Sequence, residues 1–195
     1  MANERLKPFR DYSEHDVINL FAFGDHAVSL GTTDVVYAGS AVKVRTGWSN
    51  TNELSMIGNV GAGYNNTVSQ RWGVAADVEY TDGGADEAAL GILLYDVREY
   101  DENGEKLAFN PRKQAELQCS LTGQAVPIAT RGIFLMATGA WTNSPALVQD
   151  NDVFATGDGK LTTLGNKATN NRIGRTLGGP DADGSVLVKF DFTQG

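Results

Sequence analysis

Along most of the chain, apolar and polar residues alternate in short runs separated by glycine-bearing turns. Ala41-Val42-Lys43-Val44-Arg45 sets apolar against basic positions, the two-residue period of a half-buried strand. At the far end Val186, Val188, Phe190 and Phe192 share one face of a closing strand. Residues 26–30, 34–37, 73–80, 124–129, 131–136, 153–155, 160–163 and 172–177 read as further strands, and Pro127 marks 124–129 as an edge. The longest apolar-rich run, 89–100, holds Leu90, Ile92, Leu93, Leu94, Tyr95, Val97 and Tyr100. It leads to Asn103-Gly104, a strong short-range hairpin signal, and then to Leu107-Ala108-Phe109. Thr156-Gly157-Asp158-Gly159 predicts a tight turn. Helix is expected only over 111–118, with Pro111 in the first position. Many short strands at close spacing predict an all-β fold, a small antiparallel β-barrel or sandwich with little helix.

Two stretches depart from that pattern. Residues 1–16 are polar and without a clean period, and Val17-Ile18-Asn19-Leu20-Phe21-Ala22-Phe23 is almost wholly apolar before Gly24. The predicted organisation is therefore an extended N-terminal arm over 1–24 and a single β-barrel-like domain over 25–195. Val17, Ile18, Leu20, Phe21 and Phe23 require burial, in their own barrel or against a neighbouring subunit. The second departure is a long loop near 46–72, rich in glycine and asparagine, with Trp48, Tyr64 and Trp72 in or beside it. These aromatics are candidate anchors for a protein contact, or covers of the barrel's own edge.

Composition narrows the function classes. The 195 residues are 41% hydrophobic and 21% charged, with 23 glycines and 5 prolines, as suits a folded chain with many turns. No apolar run reaches the roughly 18 residues of a membrane span, and the N-terminal residues lack the apolar core of a secretory signal. Cys119 is the single cysteine, which excludes an intrachain disulfide; its neighbours Leu117 and Leu121 suggest a small buried residue. The net charge is −8, and residues 77–105 hold ten acids against Arg98 alone. An acidic chain of this kind is a poor match for nucleic acid. The acidic stretch reads as a solvated face, a cation site or a docking patch for a basic partner, and its spacing does not choose among them.

Candidate chemistry is sparse. His15 and His26 have acidic neighbours but no recognised metal-ligand spacing. No Gly-x-Ser-x-Gly elbow occurs, and Gly157-Asp158-Gly159 lacks the Lys-Ser/Thr of a phosphate loop. Asn65-Asn66-Thr67 matches a glycosylation acceptor that is expected to be idle. The reading is a non-enzymatic protein with no cofactor and no assigned catalytic or metal residues.

Val153-Phe154-Ala155-Thr156-Gly157-Asp158-Gly159-Lys160-Leu161-Thr162-Thr163, then Arg172-Ile173-Gly174-Arg175-Thr176-Leu177, then Gly184-Ser185-Val186-Leu187-Val188-Lys189-Phe190 resembles the head decoration, or cement, proteins of tailed bacteriophages. Gln124-Ala125-Val126-Pro127-Ile128-Ala129 and Arg131-Gly132-Ile133-Phe134 resemble the preceding strand pair of that family. The likeness runs over 120–195, is looser over 26–45, and is weak over 46–111. It implies a virion protein made in the host cytoplasm and seated on the outer capsid surface, with the major capsid protein and its own copies, as a homotrimer, for partners. It also implies an N-terminal arm that ties capsid subunits together. A competing reading is a receptor- or carbohydrate-binding β module of a phage tail or fibre, with Trp48, Tyr64, Trp72 and Trp141 as a sugar platform.

Overall fold

A computed structural model describes residues 4–23, 35–46, 76–83, 88–142, 150–165 and 171–192. Short alternating segments pair into two six-stranded sheets. The first runs in the order β1 (Leu6–Asp11), β10 (Arg131–Met136), β14 (Val186–Asp191), β13 (Arg172–Thr176), β11 (Asp152–Thr156) and β12 (Lys160–Thr162), antiparallel throughout. The second runs β2 (Val17–Ile18), β9 (Ile128–Ala129), β6 (Ala89–Leu93), β4 (Ala41–Thr46), β5 (Asp77–Tyr80) and β3 (Ala22–Phe23). Its pairs are antiparallel except β3 with β5. A small parallel pair, β7 (Asp96–Val97) with β8 (Cys119–Ser120), lies apart from both. The chain is all-β, with one short helix, α1 (Pro111–Glu116), among the described residues.

The two-residue period explains the cores. Phe134, Met136, Val188 and Phe190 of the first sheet meet Ala41, Ile92 and Ala129 of the second. The residues next in sequence, Val42, Leu93 and Ile128, point to the opposite side, where they join Phe21, Phe23, Val36, Val78 and Val126 in a second core. Across β9, β6 and the start of β4 the second sheet is thus buried on both faces. This is why 89–100 reads as a nearly continuous apolar run rather than an alternation. Gly91, in the middle of β6, has no room for a side chain: a Cβ there would stand 2.4 Å from the Ala129 carbonyl oxygen and 2.7 Å from Ile128 Cγ2.

The turns follow their sequence signals. Asp158 and Gly159 are both left-handed, at φ 60° and 62°, and reverse β11 into β12. Gly104, at φ 80°, closes the Asn103-Gly104 turn, which is flanked by the single Tyr100–Lys106 bridge rather than by two full strands. Helix α1 begins at Pro111, where the Asn110 side chain accepts from Lys113 N at 3.2 Å. It ends two residues before the expected 118, because Gln118 takes a left-handed φ of 48°. The strand expected over 124–129 pairs only at Ile128–Ala129, with one bridge from Ala125 to Ala22. The preceding residues are spent on a turn in which Gln124 N donates to Leu121 O.

The N-terminal segment corrects the predicted organisation. It is not an arm separate from the domain. β1 lies at the edge of the first sheet, β2 and β3 form the two edges of the second, and residues 4–23 therefore tie the sheets together. The physical reason is that the apolar run finds its burial inside the same chain: Phe21 and Phe23 sit in the second core, with Ile18 packed against it and Val17 against the first. The predicted strand 26–30 and the loop near 46–72 lie outside the described residues, apart from Thr46 at the end of β4.

Candidate interaction surface

The outward face of the first sheet can be built strand by strand. In β10 and β14 the inward residues are Phe134, Met136, Val186, Val188 and Phe190, so Ile133, Leu135, Leu187 and Lys189 face outward. Leu135 stands opposite Leu187, and Leu177 donates its N–H to Leu187 O at 2.8 Å. On the other side of β10, alternation along β1 puts Phe9 outward with Asp11, beside the bulge that faces Leu135. Phe9, Leu135, Leu187 and Leu177 thus form one apolar row across four neighbouring segments; Phe9 is 54% exposed and Leu177 41%. The next row reads Asp11, Ile133, Lys189, Arg175, with Asp11 opposite Ile133, Ile133 opposite Lys189 and Lys189 opposite Arg175. A solvated sheet face normally carries polar residues at these positions.

The charges in the second row are unevenly satisfied. Arg175 Nη1 donates to Asp150 Oδ1 at 3.2 Å. Lys189 stands directly across from that arginine, a like-charge pair, and neither Lys189 nor Asp11 has an ion pair among the described residues. A shallow depression of about 400 Å³ opens beside them, lined by Arg172, Gly174, Arg175, Leu177, Lys189 and Asp191.

A second feature is a braced projection over residues 99–125. Its own small core is Leu107, Ala108, Cys119 and Leu121. Asp101 is buried and accepts from Asn103 N at 2.8 Å, from Glu105 N at 2.7 Å and from the Lys113 ammonium. The Lys113 hydrogen bond holds the Asp101 carboxyl below its ordinary range, and Asp101 in turn raises Lys113. Gln114 Nε2 donates to Gln124 Oε1 at 2.8 Å and to Cys119 O at 3.2 Å. What this framework presents is Phe109, 70% exposed.

Cys119 belongs to that framework. Burial pushes its thiol up to about 11, so the thiolate is scarce at neutral pH. The native protein is therefore expected to resist alkylation by iodoacetamide at pH 7.5 and to react after denaturation, read by intact mass; rapid labelling of the folded chain would contradict this.

Between β1 and the segment that follows β6, a cleft of about 430 Å³ opens, lined among others by Leu6, Arg10, Leu94, Asp96 and Gln118. Arg10 Nη1 donates to Leu94 O at 3.0 Å, and Asp96 Oδ1 accepts from Ala38 N at 2.7 Å. Burial raises Asp96 above the usual carboxylate range, against the opposing pull of the Ala38 N–H and of Arg98 and Arg10. The cleft's polar groups mainly fasten β1 and residues 36–40 to the body of the fold.

The residues singled out from the sequence fare differently. Val17 and Ile18 are half-buried and Phe21 and Phe23 buried, so they do not form a presented contact strip; Leu20 alone remains exposed, at 39%. Trp48, Tyr64, Trp72 and His26 lie outside the described residues. Trp141 is buried between the sheets, which removes it from a sugar platform. His15 sits in a short 3₁₀ turn where Ser13 Oγ accepts from its backbone N–H. The acidic stretch does not form one face: Glu79 and Asp82 meet Lys43 on the second sheet, Glu102 meets Arg98, and Asp101 is buried against Lys113. Phe9, Leu135, Leu187, Leu177 and Phe109 were not foreseen as surface. The signal was present for Leu187 and Leu135, which are the apolar residues at the outward positions of strands whose inward positions are apolar too. No protein-family model, curated protein or solved structure matches this chain.

Proposed function

We propose that the protein is a capsid decoration protein that binds the outside of an assembled viral shell and stabilises it by bridging major capsid subunits. The observation that supports this most is that the described strands of 131–191, the greater part of the stretch resembling the cement proteins, pair into one sheet. Five of the six strands of the first sheet come from residues 131–191, and only β1 comes from elsewhere. A ligand of the assembled shell that ignores free subunits stabilises assembly through linkage, and many copies on one lattice gain from effective concentration.

The grip lies on rigid surface rather than on a loose arm. Phe109 is the anchor best suited to it, because its backbone is held in place before binding and little ordering entropy is lost on contact. The test is to mix the purified protein with expanded, undecorated shells and sediment them through a gradient. The protein is expected to travel with the shells and to raise the temperature at which they disrupt. Phe109→Ala should weaken binding by about tenfold or more with an unchanged melting temperature. Folded protein that stays at the top of the gradient at every concentration would overturn the proposal.

A further inference from the structure

We infer that the outward face of the first sheet is the contact between two copies of this chain, packed face to face about a two-fold axis that runs along β10. This inference concerns the protein in solution and stands apart from shell binding.

The geometry follows from the order of strands. β1 and β14 flank β10 on its two sides, at the spacing of about 4.8 Å common to all sheets. A two-fold axis lying in the interface along β10 exchanges those two sides and keeps each residue's height along the strand. Leu135 and Ile133 of one copy then meet the same residues of the other. Phe9 on β1 meets Leu187 on β14, and Asp11 on β1 meets Lys189 on β14. The apolar row falls on the apolar row. The two groups in the charged row that have no ion pair among the described residues, Asp11 and Lys189, fall on each other twice over, once at each side of the axis.

Charge makes a second copy the fitting occupant. The chain as a whole carries −8, so two copies repel over most approaches. On this face Asp11 and Lys189 lie symmetrically about the axis as one acid and one base, while Arg131, exposed at the end of β10, stands across from Asp191 of β14. Each new pair also relieves the like-charge contact of Lys189 with Arg175. Under this axis the strands of the two sheets run in the same direction, the aligned way in which sheets stack at about 10 Å. An isologous contact of this type closes on itself and stops at two copies.

Sedimentation equilibrium of the full chain tests it. The native protein is expected to be a dimer. Leu187→Asp should raise the dimer dissociation constant by about tenfold or more, because it places a carboxylate in the apolar row. Should that variant fail to fold, the exposed pair decides: Asp11→Lys and Lys189→Glu should each weaken the dimer, and the double variant should restore it. Val44→Asp, on the exposed part of the second sheet, should leave it unchanged. A native monomer throughout the concentration range, or an oligomer indifferent to all of these substitutions at the first sheet, overturns the inference.

Discussion

A chain lacking residues 2–23 is expected not to fold. The deletion removes β1, β2 and β3, which are three of the four edge positions of the two large sheets. It withdraws Leu6, Phe21 and Phe23, each buried to 8% exposure or less, and each contributing roughly 1.5–3 kcal/mol by burial. Those three side chains alone approach the 5–15 kcal/mol, roughly, that holds an ordinary domain together. The loss also bares the backbone edge of β10 and the Phe134 and Met136 side chains that Leu6 helps to cover. Removing residues 2–16 takes only β1 and its covalent neighbours. That shorter chain is expected to fold with a clearly lowered melting point, because β2 and β3 still seal the second core. Circular dichroism melts of both variants decide the matter. Native-like melting of the chain lacking 2–23 would mean that the segment is, after all, an appendage.

The sequence reading of residues 17–23 shows what a pattern can and cannot carry. Hydrophobicity marked this run as needing burial, and Phe21, Ala22 and Phe23 are buried, with Val17 and Ile18 half-buried and Leu20 exposed. The pattern holds no term for where the partner surface lies, since the register of a strand against distant segments is set by pairing. Ala22 meets Asp77 and Phe23 meets Val78, more than fifty residues away. The same limit applies to the outward face of the first sheet. Alternation separated Val186, Val188 and Phe190 from Leu187 and Lys189. That Leu187 lies beside Leu135 on one side and Leu177 on the other follows only from strand order, which is β10-β14-β13 and not the order of the chain.

Local chemistry was more legible. Asn-Gly, Asp-Gly and Asn-Pro each appear where their backbone preferences place them, at a turn, a reversal and a helix start. Cys119 was placed correctly among its apolar neighbours because Leu117 and Leu121 are close in sequence and in space. The pairing of the acidic stretch is not legible locally, because two of its counter-charges come from outside it: Lys43 lies on β4 and Lys113 on α1. Counting charge within a window misses partners that arrive from another strand.

Arg5→Ala is expected to be the most destabilising single substitution at a charged residue. Arg5 is 8% exposed, and it sits where three separate parts of the chain converge. Its Nη1 donates to Ser40 Oγ at 2.8 Å, just before β4, and to the Asp158 carbonyl oxygen at 2.8 Å, in the turn joining β11 and β12. The guanidinium carbon lies 5.7 Å from the Tyr80 ring centroid, a cation–π contact with β5. One side chain therefore links the start of the first sheet to the second sheet and to the turn at the far edge of its own. Burial pulls the guanidinium below its ordinary value, while Tyr80 and Asp158 act against that pull, and a guanidinium stays charged at any pH the fold survives. Truncation to alanine removes two charge-assisted hydrogen bonds and leaves the Asp158 carbonyl without this donor. The combined cost is about 2–4 kcal/mol, or a fall in melting temperature of roughly 5–15 °C for a chain of this size. Arg5→Lys should recover only part of it, because an ammonium cannot reproduce the planar guanidinium, with its several fixed donors and its fit against the Tyr80 ring. Arg5→Met separates the two contributions, since it keeps the apolar stem and deletes the donors. If the methionine variant melts like the native protein, the stem carries the effect; if all three variants do, residues 4–11 are not fastened by this contact.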